Sequence, residues 1–450
     1  MLVSLSKFID WLERWQQQCL LYYDYHTTMF RKSKNRIFYG WIIVAGASGL
    51  VSLIWGCDGT YGIFLPELAT DLGWTNTVLS GAYSMGWIVA NGLGIIAGRA
   101  NDKYGPRLVI TFSVAVTSVG FGLLYLTKNP WQLYLYYGLI ANIGMGFLGV
   151  PVMSTVSHWF VKKRGMALGI TQAGVGFGAF VMPPLVQMLI TRFGWRISYL
   201  IIAGVILGVG LPVSRLMRLD PAEKGLRPDG AEAEIANAQG EVAVTNSEGF
   251  SFRQALRTTQ LWLLFAIYVI SSLRIGVAVH LKAYMVSFNI PEMTAATIIG
   301  IRSGARMVGT LIISKLSDRI GRRRPLVICF TVIATMSVWL IFIREPWQFY
   351  AYSIASGLFG AGSVLLTAMV ADWFGMKANG SILGLLYIAT GIGASTAPLL
   401  IGYLVDTRGD YQLAFTVLAI AALAPVLLSF ALKRPEKGDY TIKNDLSRSQ

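Results

Sequence analysis

Apolar stretches of roughly 18 residues or more, each long enough to cross a hydrocarbon layer about 30 Å thick as a helix, recur along almost the whole chain and are separated by short polar breaks. Six are expected in the first half, at 37–64, 77–98, 107–126, 131–157, 165–190 and 195–217. Six more are expected in the second, at 260–288, 293–316, 325–343, 347–371, 380–405 and 411–431. One long polar segment separates the two sets. It carries Pro221, Pro228, Gly230 and several glutamates among small residues, a composition unable to bury a core. The pattern predicts an all-α membrane protein of twelve transmembrane helices in two six-helix bundles, 37–218 and 259–432. A leader at 1–36, a linker at 219–258 and a tail at 433–450 complete the expected organisation.

The two halves repeat one another. Asp102-Lys103-Tyr104-Gly105-Pro106-Arg107 returns as Asp318-Arg319-Ile320-Gly321-Arg322-Arg323, and Pro130-Trp131-Gln132 returns as Pro346-Trp347-Gln348. Trp159-Phe160 with Gly165 and Gly169 returns as Trp373-Phe374 with Gly380 and Gly384. Copies roughly 215 residues apart indicate a duplicated half and exclude a solenoid of short units.

Composition fits this reading: 54% of residues are hydrophobic and 14% charged, and the mean hydropathy is +0.55, too little polar surface for a water-soluble globule. The net charge of +15 does not point to nucleic acid, because the basic residues are divided among short loops between apolar spans. Arg31 to Arg36, Arg99 to Arg107, Lys162 to Arg164 and Arg319 to Arg324 fall on one side if every span crosses. The opposite loops hold Glu67, Asp71, Glu292, Asp406 and Asp410. Both termini are therefore expected to be cytoplasmic, in a multi-pass protein of the cytoplasmic membrane that works as a monomer. The leader lacks the order of a cleavable signal, although its aromatic residues suit an interfacial helix. Three scattered cysteines, Cys19, Cys57 and Cys329, form neither a disulfide framework nor a metal site, and no cofactor is expected.

An acid followed by a basic residue and glycine at a helix junction can meet a helix N-terminus or a basic partner, which makes Asp102, Arg107, Asp318 and Arg322 expected latch residues. These loops resemble the signature loop of the major facilitator superfamily, and the two halves of six spans match that superfamily across the chain. Phe38-Tyr39-Gly40-Trp41, the run from Trp159 through Gly169, Pro221-Ala222-Glu223-Lys224-Gly225 and Val279-His280-Leu281 resemble its monocarboxylate transporter branch and bacterial oxalate/formate relatives. The resemblance implies two bundles around a central cavity, a substrate site near mid-membrane, alternating access, and transport of small organic anions with a proton or by exchange. Gly144-Met145-Gly146-Phe147-Leu148-Gly149 fits a dinucleotide fingerprint but lies inside a span, without the strand and turn that chemistry needs. Gly165/Gly169, Gly174/Gly178 and Gly300/Gly304 have the spacing of close helix packing.

Ionisable residues inside the spans mark the expected site. Arg302 and Arg306 lie about 18 to 24 Å of helix rise before Asp318, deep in the membrane and one turn apart. Guanidiniums there cost several kcal/mol unless they meet a wet cavity or an anion. Arg306 resembles the family's carboxylate-binding arginine, whereas Arg302 stands where the family usually has an acid. Asp58 stands near the family's lysine, and the bacterial lysine expected near Tyr387 is missing. An ion pair of Asp58 with Arg302 across the cavity in one access state, leaving Arg306 for substrate, is one expectation; a solvated Asp58 at the outer end of its span is the other. Arg274 is a further expected substrate contact; His280 is either a proton carrier or a packed or outer-end structural residue, and Lys282, further toward the outside, a charge that attracts anions or snorkels. Asn142, Gln172 and Tyr387 are neutral donors to substrate, or else interhelical contacts. The expected function is secondary transport of a mono- or dicarboxylate, with protons as coupling ion, or anion exchange. A non-transporting sensor would have lost these charges, and an enzyme would need paired acids or a nucleophile with its base.

Overall fold

With no water in a bilayer to satisfy backbone groups, a membrane-spanning chain must bond its own amides, as helices do. The computed structural model describes residues 38–160, 162–218, 221–224, 226, 229, 249–375, 378–433 and 435. The expected leader, Cys19 and most of the linker and tail lie outside them. Among the described residues no strand occurs, only two isolated bridge pairs. The first half holds α1 (Tyr39–Asp58), α2 (Tyr61–Leu72), α3 (Asn76–Gly92), α4 (Gly94–Leu123), α5 (Pro130–Leu133), a π-helix (Tyr134–Ala141), α6 (Asn142–Gly146), α7 (Gly149–Trp159) and α8 (Arg164–Leu216). The second half holds α9 (Phe252–Leu256), α10 (Thr259–Ser272), α11 (Arg274–Val286), α12 (Glu292–Ile320), α13 (Arg323–Leu340), α14 (Pro346–Phe359), α15 (Gly362–Phe374), α16 (Asn379–Arg408) and α17 (Gln412–Ala431).

Ten helical runs among the described residues are long and apolar enough to cross a membrane, against twelve expected. The difference has a local cause. The α8 run is 53 residues long and contains non-helical Gly194, which divides it into two rods. Helix α3 has 17 residues and continues into α4 up to the break at Gly105. Divided at these glycines the runs support twelve crossings; uninterrupted length and hydropathy establish ten. The polar segment expected as linker also contains α9, started by a capping box of Ser251 and Gln254.

The duplicated phrases have matching conformations. Gly105 (φ 76, ψ 160) and Gly321 (φ 85, ψ 159) occupy backbone space that only glycine enters without strain, and each breaks the chain between two helices. Arg107 Nε then donates to Met217 O at 3.2 Å, just past the end of α8. Its repeat counterpart Arg323 donates to Ser429 O and Phe430 O near the end of α17. Each half therefore ties its last helix to the same loop through carbonyls that the helix leaves unpaired. The Pro-Trp-Gln repeat is a capping box: Gln132 accepts from the amides of Lys128 and Asn129, and Gln348 from those of Arg344 and Glu345.

Helix α3 packs on α16, α12 on α14 and α8, and α11 on α2, so elements of the two halves touch directly. A Cβ on Gly174 or Gly178 would fall on the Ser48 and Ser52 carbonyls of α1, and one on Gly300 or Gly304 would meet Phe180 of α8. These pairs are the close contacts their spacing suggested. Gly165 and Gly169 are not: each faces open space, so the expectation of packing there is corrected. Gly321→Ala is predicted to cost about 1–3 kcal/mol from backbone strain alone. Gly169→Ala is predicted to stabilise by about 0.5–1 kcal/mol, since the helix gains and nothing is struck. Thermal unfolding of the two purified variants in the same lipid checks both signs.

Candidate functional site

The ionisable groups among the spans divide into those whose charge is compensated and those whose charge is not. Lys282 on α11 has a fully buried side chain, and its three ammonium protons have three partners: Ile63 O at 2.9 Å, Glu67 Oε1 at 3.2 Å and Glu292 Oε2 at 3.2 Å. Gln187 on α8 donates to the same Glu292 oxygen at 2.7 Å. The network joins α2 and α8 of the first half to α11 and α12 of the second. Nearby, Asp406 at the end of α16 accepts from Asn76 N at 3.0 Å, Asn76 Nδ2 at 3.0 Å, Thr77 N at 2.7 Å and Thr77 Oγ1. A carboxylate is thereby set on the N-terminus of α3, where the helix dipole favours it. His280 is buried two residues before Lys282, with Nε2 at 2.9 Å from Ser80 Oγ and 3.2 Å from Pro398 O, while its Nδ1 has no partner. Gly62 lies so close to Val279 that a Cβ would strike its carbonyl. Among the described residues the hydrogen bonds and ion pairs that cross between halves gather at this Asp406 end.

The three expected arginines present the opposite case. Arg274, half-buried at the start of α11, fits beside Gly360, where an added Cβ would come within 3.5 Å of its Nη1. Arg302 is half-buried with its guanidinium over the Tyr352 ring, 5.9 Å from the centroid. Both line one cavity inside the second half. Arg306 is exposed, on a stripe of α12 between the faces that pack on α8 and α14. Among the described residues none of the three pairs with a carboxylate. The i, i+4 spacing of Arg302 and Arg306 does bring them to one side of α12, but only Arg302 turns into the cavity.

Asp58 corrects one expectation. It is not solvated: its residue is 7% exposed, and its Oδ1 accepts from Tyr137 Oη at 2.7 Å, while in this conformation no ion pair joins it to Arg302. Tyr137 belongs to the π-helix, whose wider turn is a common device at functional positions. Asn142 is likewise no free donor to substrate. It is buried, its Nδ2 bonds Tyr137 O at 2.9 Å, and its side chain fills the space left by Gly86. Gln172 and Tyr387 are exposed.

The latch residues differ between halves. Arg322 bonds Asp318 at 2.6 Å and Asp372 at 3.1 Å, and also donates to Ser317. Asp372, then Asp318, raise its pKa. Asp102 is exposed and makes no ion pair among the described residues, because Arg107 turns to the Met217 carbonyl instead. In the first half the arginine of the loop thus holds a helix end and not the acid of its own loop. Glu67, Glu292 and Asp406 were legible as loop charges opposite the basic side, but their role was not; an acid at each end of the loop beside a span lysine was the available signal.

Repeated apolar helices, a duplicated loop between helices and uncompensated cations within the spans are the marks of a membrane carrier. Residues 44–344 and 261–446 match the Major Facilitator Superfamily, and the chain belongs to that superfamily. Monocarboxylate transporter 12 of Rattus norvegicus is 24% identical over 431 residues, covering 87% of this chain and 85% of its own. Monocarboxylate transporter 13 of Bos taurus is 24% identical over 395 residues, covering 86% and 87%. MFS-type transporter 1 of an Ophiocordyceps species is 26% identical over 346 residues, covering 74% and 72%. A solved bacterial homolog of the human lysosomal transporter Spinster, inward-facing and unoccupied, shares the fold with TM-score 0.67 at 13% identity, covering 88% of this chain and 95% of its own. The protein is a membrane transporter and not an enzyme.

Removing one partner of a buried ion pair leaves the others uncompensated, at a cost of about 3–5 kcal/mol. The 27% and 45% exposure of Glu67 and Glu292 puts Lys282→Met toward the lower end. That variant is predicted to loosen the contact of the halves at the Asp406 end. In nanodiscs, with other cysteines replaced, Ser80→Cys labelling by a polar maleimide is expected to rise at least tenfold over the Lys282 parent. Equal rates would show that the network does not hold the halves together.

Proposed function

We propose that this transporter carries a small organic anion, a mono- or dicarboxylate, across the cytoplasmic membrane by alternating access. The observation that supports this is the contrast between cations: Lys282 has its full set of partners, whereas Arg274, Arg302 and Arg306 have no carboxylate among the described residues. A guanidinium in a membrane interior needs an anion, and its planar fork suits a carboxylate in two parallel hydrogen bonds. Arg306, exposed one turn from Arg302, is the first contact of an arriving substrate. The names of the monocarboxylate transporters similar to this chain agree with that class of cargo. In this reading the cross-half contacts at the Asp406 end belong to one end state of the cycle, and their release to the other.

Protons are the proposed coupling ion, with Asp58 and His280 as the carriers. Exchange of one anion for another is the second reading, favoured by Arg302 in place of the acid that the resemblance expects. Purified protein in nanodiscs is expected to gain thermal stability from at least one carboxylate of one to six carbons. Arg306→Ala is expected to weaken that ligand about 30-fold or more, as loss of a charged hydrogen-bonded partner costs about 2–5 kcal/mol. Stabilisation undiminished in Arg306→Ala would remove the anchor. In proteoliposomes, coupling to protons predicts alkalinisation outside as substrate enters; counterflow without a pH gradient and without alkalinisation would establish exchange instead.

A further inference from the structure

Lys282 gathers more acid than its charge compensates. Glu67 and Glu292, both ionised, would set two negative charges on one ammonium, a surplus of one where the two halves touch. The three protons of Lys282 go to Ile63 O, Glu67 and Glu292, and Gln187 donates to Glu292 and to Thr191. Acceptors are left over. The carboxyl groups of Glu67 and Glu292 lie within hydrogen-bonding reach of each other, yet two carboxylates have no hydrogen to share and their charges repel. Gln187, with no exposed surface, leaves Oε1 without a partner on the same amide that holds Glu292. Buried acceptors set against one another are costly without a donor, and this cluster is one hydrogen short.

We infer that Glu67 and Glu292 hold one proton between them while the halves are in contact, and release it to water when the halves part at the Asp406 end. Neither half makes the site alone, since Glu67 lies on α2 and Glu292 on α12. With the proton, one carboxylate balances one ammonium; without it, the second carboxylate is in excess. The 27% and 45% exposure of the two side chains gives the proton a path to water. The site goes beyond the carriers Asp58 and His280 because it ties a proton to closure itself, and for its second state it rests on the alternating-access reading. A proton bound only in the contact state makes acid favour contact, which weakens as pH rises through loss of the proton. Of the other charged groups on the elements packed here, Asp71 pairs with Arg196, Asp406 accepts from Asn76 and Thr77, Arg344 donates to Tyr284, and Arg192 is exposed. His280, on α11 with Lys282, is the titrating group that the test must separate from the pair.

Infrared difference spectra of the full-length protein in nanodiscs, taken between about pH 5 and about pH 9, read the proton directly. In acid the carbonyl stretch of a protonated carboxylic acid is expected, lost as pH rises, and missing from both Glu67→Gln and Glu292→Gln. Spin labels at Thr70→Cys and Arg408→Cys, with other cysteines replaced, read the accompanying movement. The short distance alone is expected in acid, and beyond the loss of the band the ratio of long to short populations is expected to rise about tenfold per pH unit. Glu67→Gln, whose amide is a permanent donor to Glu292, is expected to keep the short distance at every pH. A set of carboxylic acid bands unchanged in both variants would overturn the inference. So would a pH response of the distance that survives Glu67→Gln and disappears in His280→Gln. A band that behaves as expected beside a distance that never lengthens would defeat the alternating-access reading and leave the shared proton standing.

Discussion

A lysine ammonium cannot be buried in an apolar interior unless its charge and its three donors are met, and at Lys282 they are met by both halves of the molecule at once. Ile63 and Glu67 come from the first half, Glu292 from the second, and Gln187 of the first half steadies Glu292. The contact is therefore more than a surface bridge. It makes closure of the Asp406 end a condition for keeping Lys282 satisfied, and it aligns α2 against α11 and α8 against α12. The close approaches of Gly62 to Val279 and of Gly300 to Phe180 follow along the same seam.

Compensation at that end throws the other charges into relief. The arginines deeper in the second half are held by an aromatic ring, by a glycine that leaves room, and by no acid among the described residues. Asp58 in the first half is tied to Tyr137 of its own half. Charge is thus closed where the halves meet and open where a solute would lie. A carrier that moves a charged solute needs this division: contacts that hold an end state must be complete without the solute, and contacts for the solute must be incomplete without it.

The fold was legible because its determinants are local. Apolar length announces a span, and the duplicated Asp-x-x-Gly loops and Pro-Trp-Gln phrases announce two copies of one plan. The structure adds why those residues recur: Gly105 and Gly321 permit a positive φ, Arg107 and Arg323 hold the last helix of each half, and Gln132 and Gln348 close capping boxes. The site was legible only in part, since partner choice is non-local. Nothing in the spacing of Lys282 reveals that Glu67, 215 positions earlier, lies 3.2 Å from it. Nor does the sequence distinguish a donor facing substrate from Asn142, whose amide is consumed by the π-helix carbonyl of Tyr137. Gly165 and Gly169 show the converse: the right spacing on a face that meets nothing.

What joins the two kinds of charge is the claim that an anion on the arginines releases the closed end. Spin labels at Thr70→Cys, on α2, and Arg408→Cys, at the end of α16, report the separation of the halves there by pulsed electron paramagnetic resonance. Without ligand a single short distance is predicted. Titration with a stabilising carboxylate is predicted to add a longer-distance population, absent when Arg306 is replaced by alanine. A distance distribution indifferent to the anion, or one that changes equally in Arg306→Ala, would contradict the account.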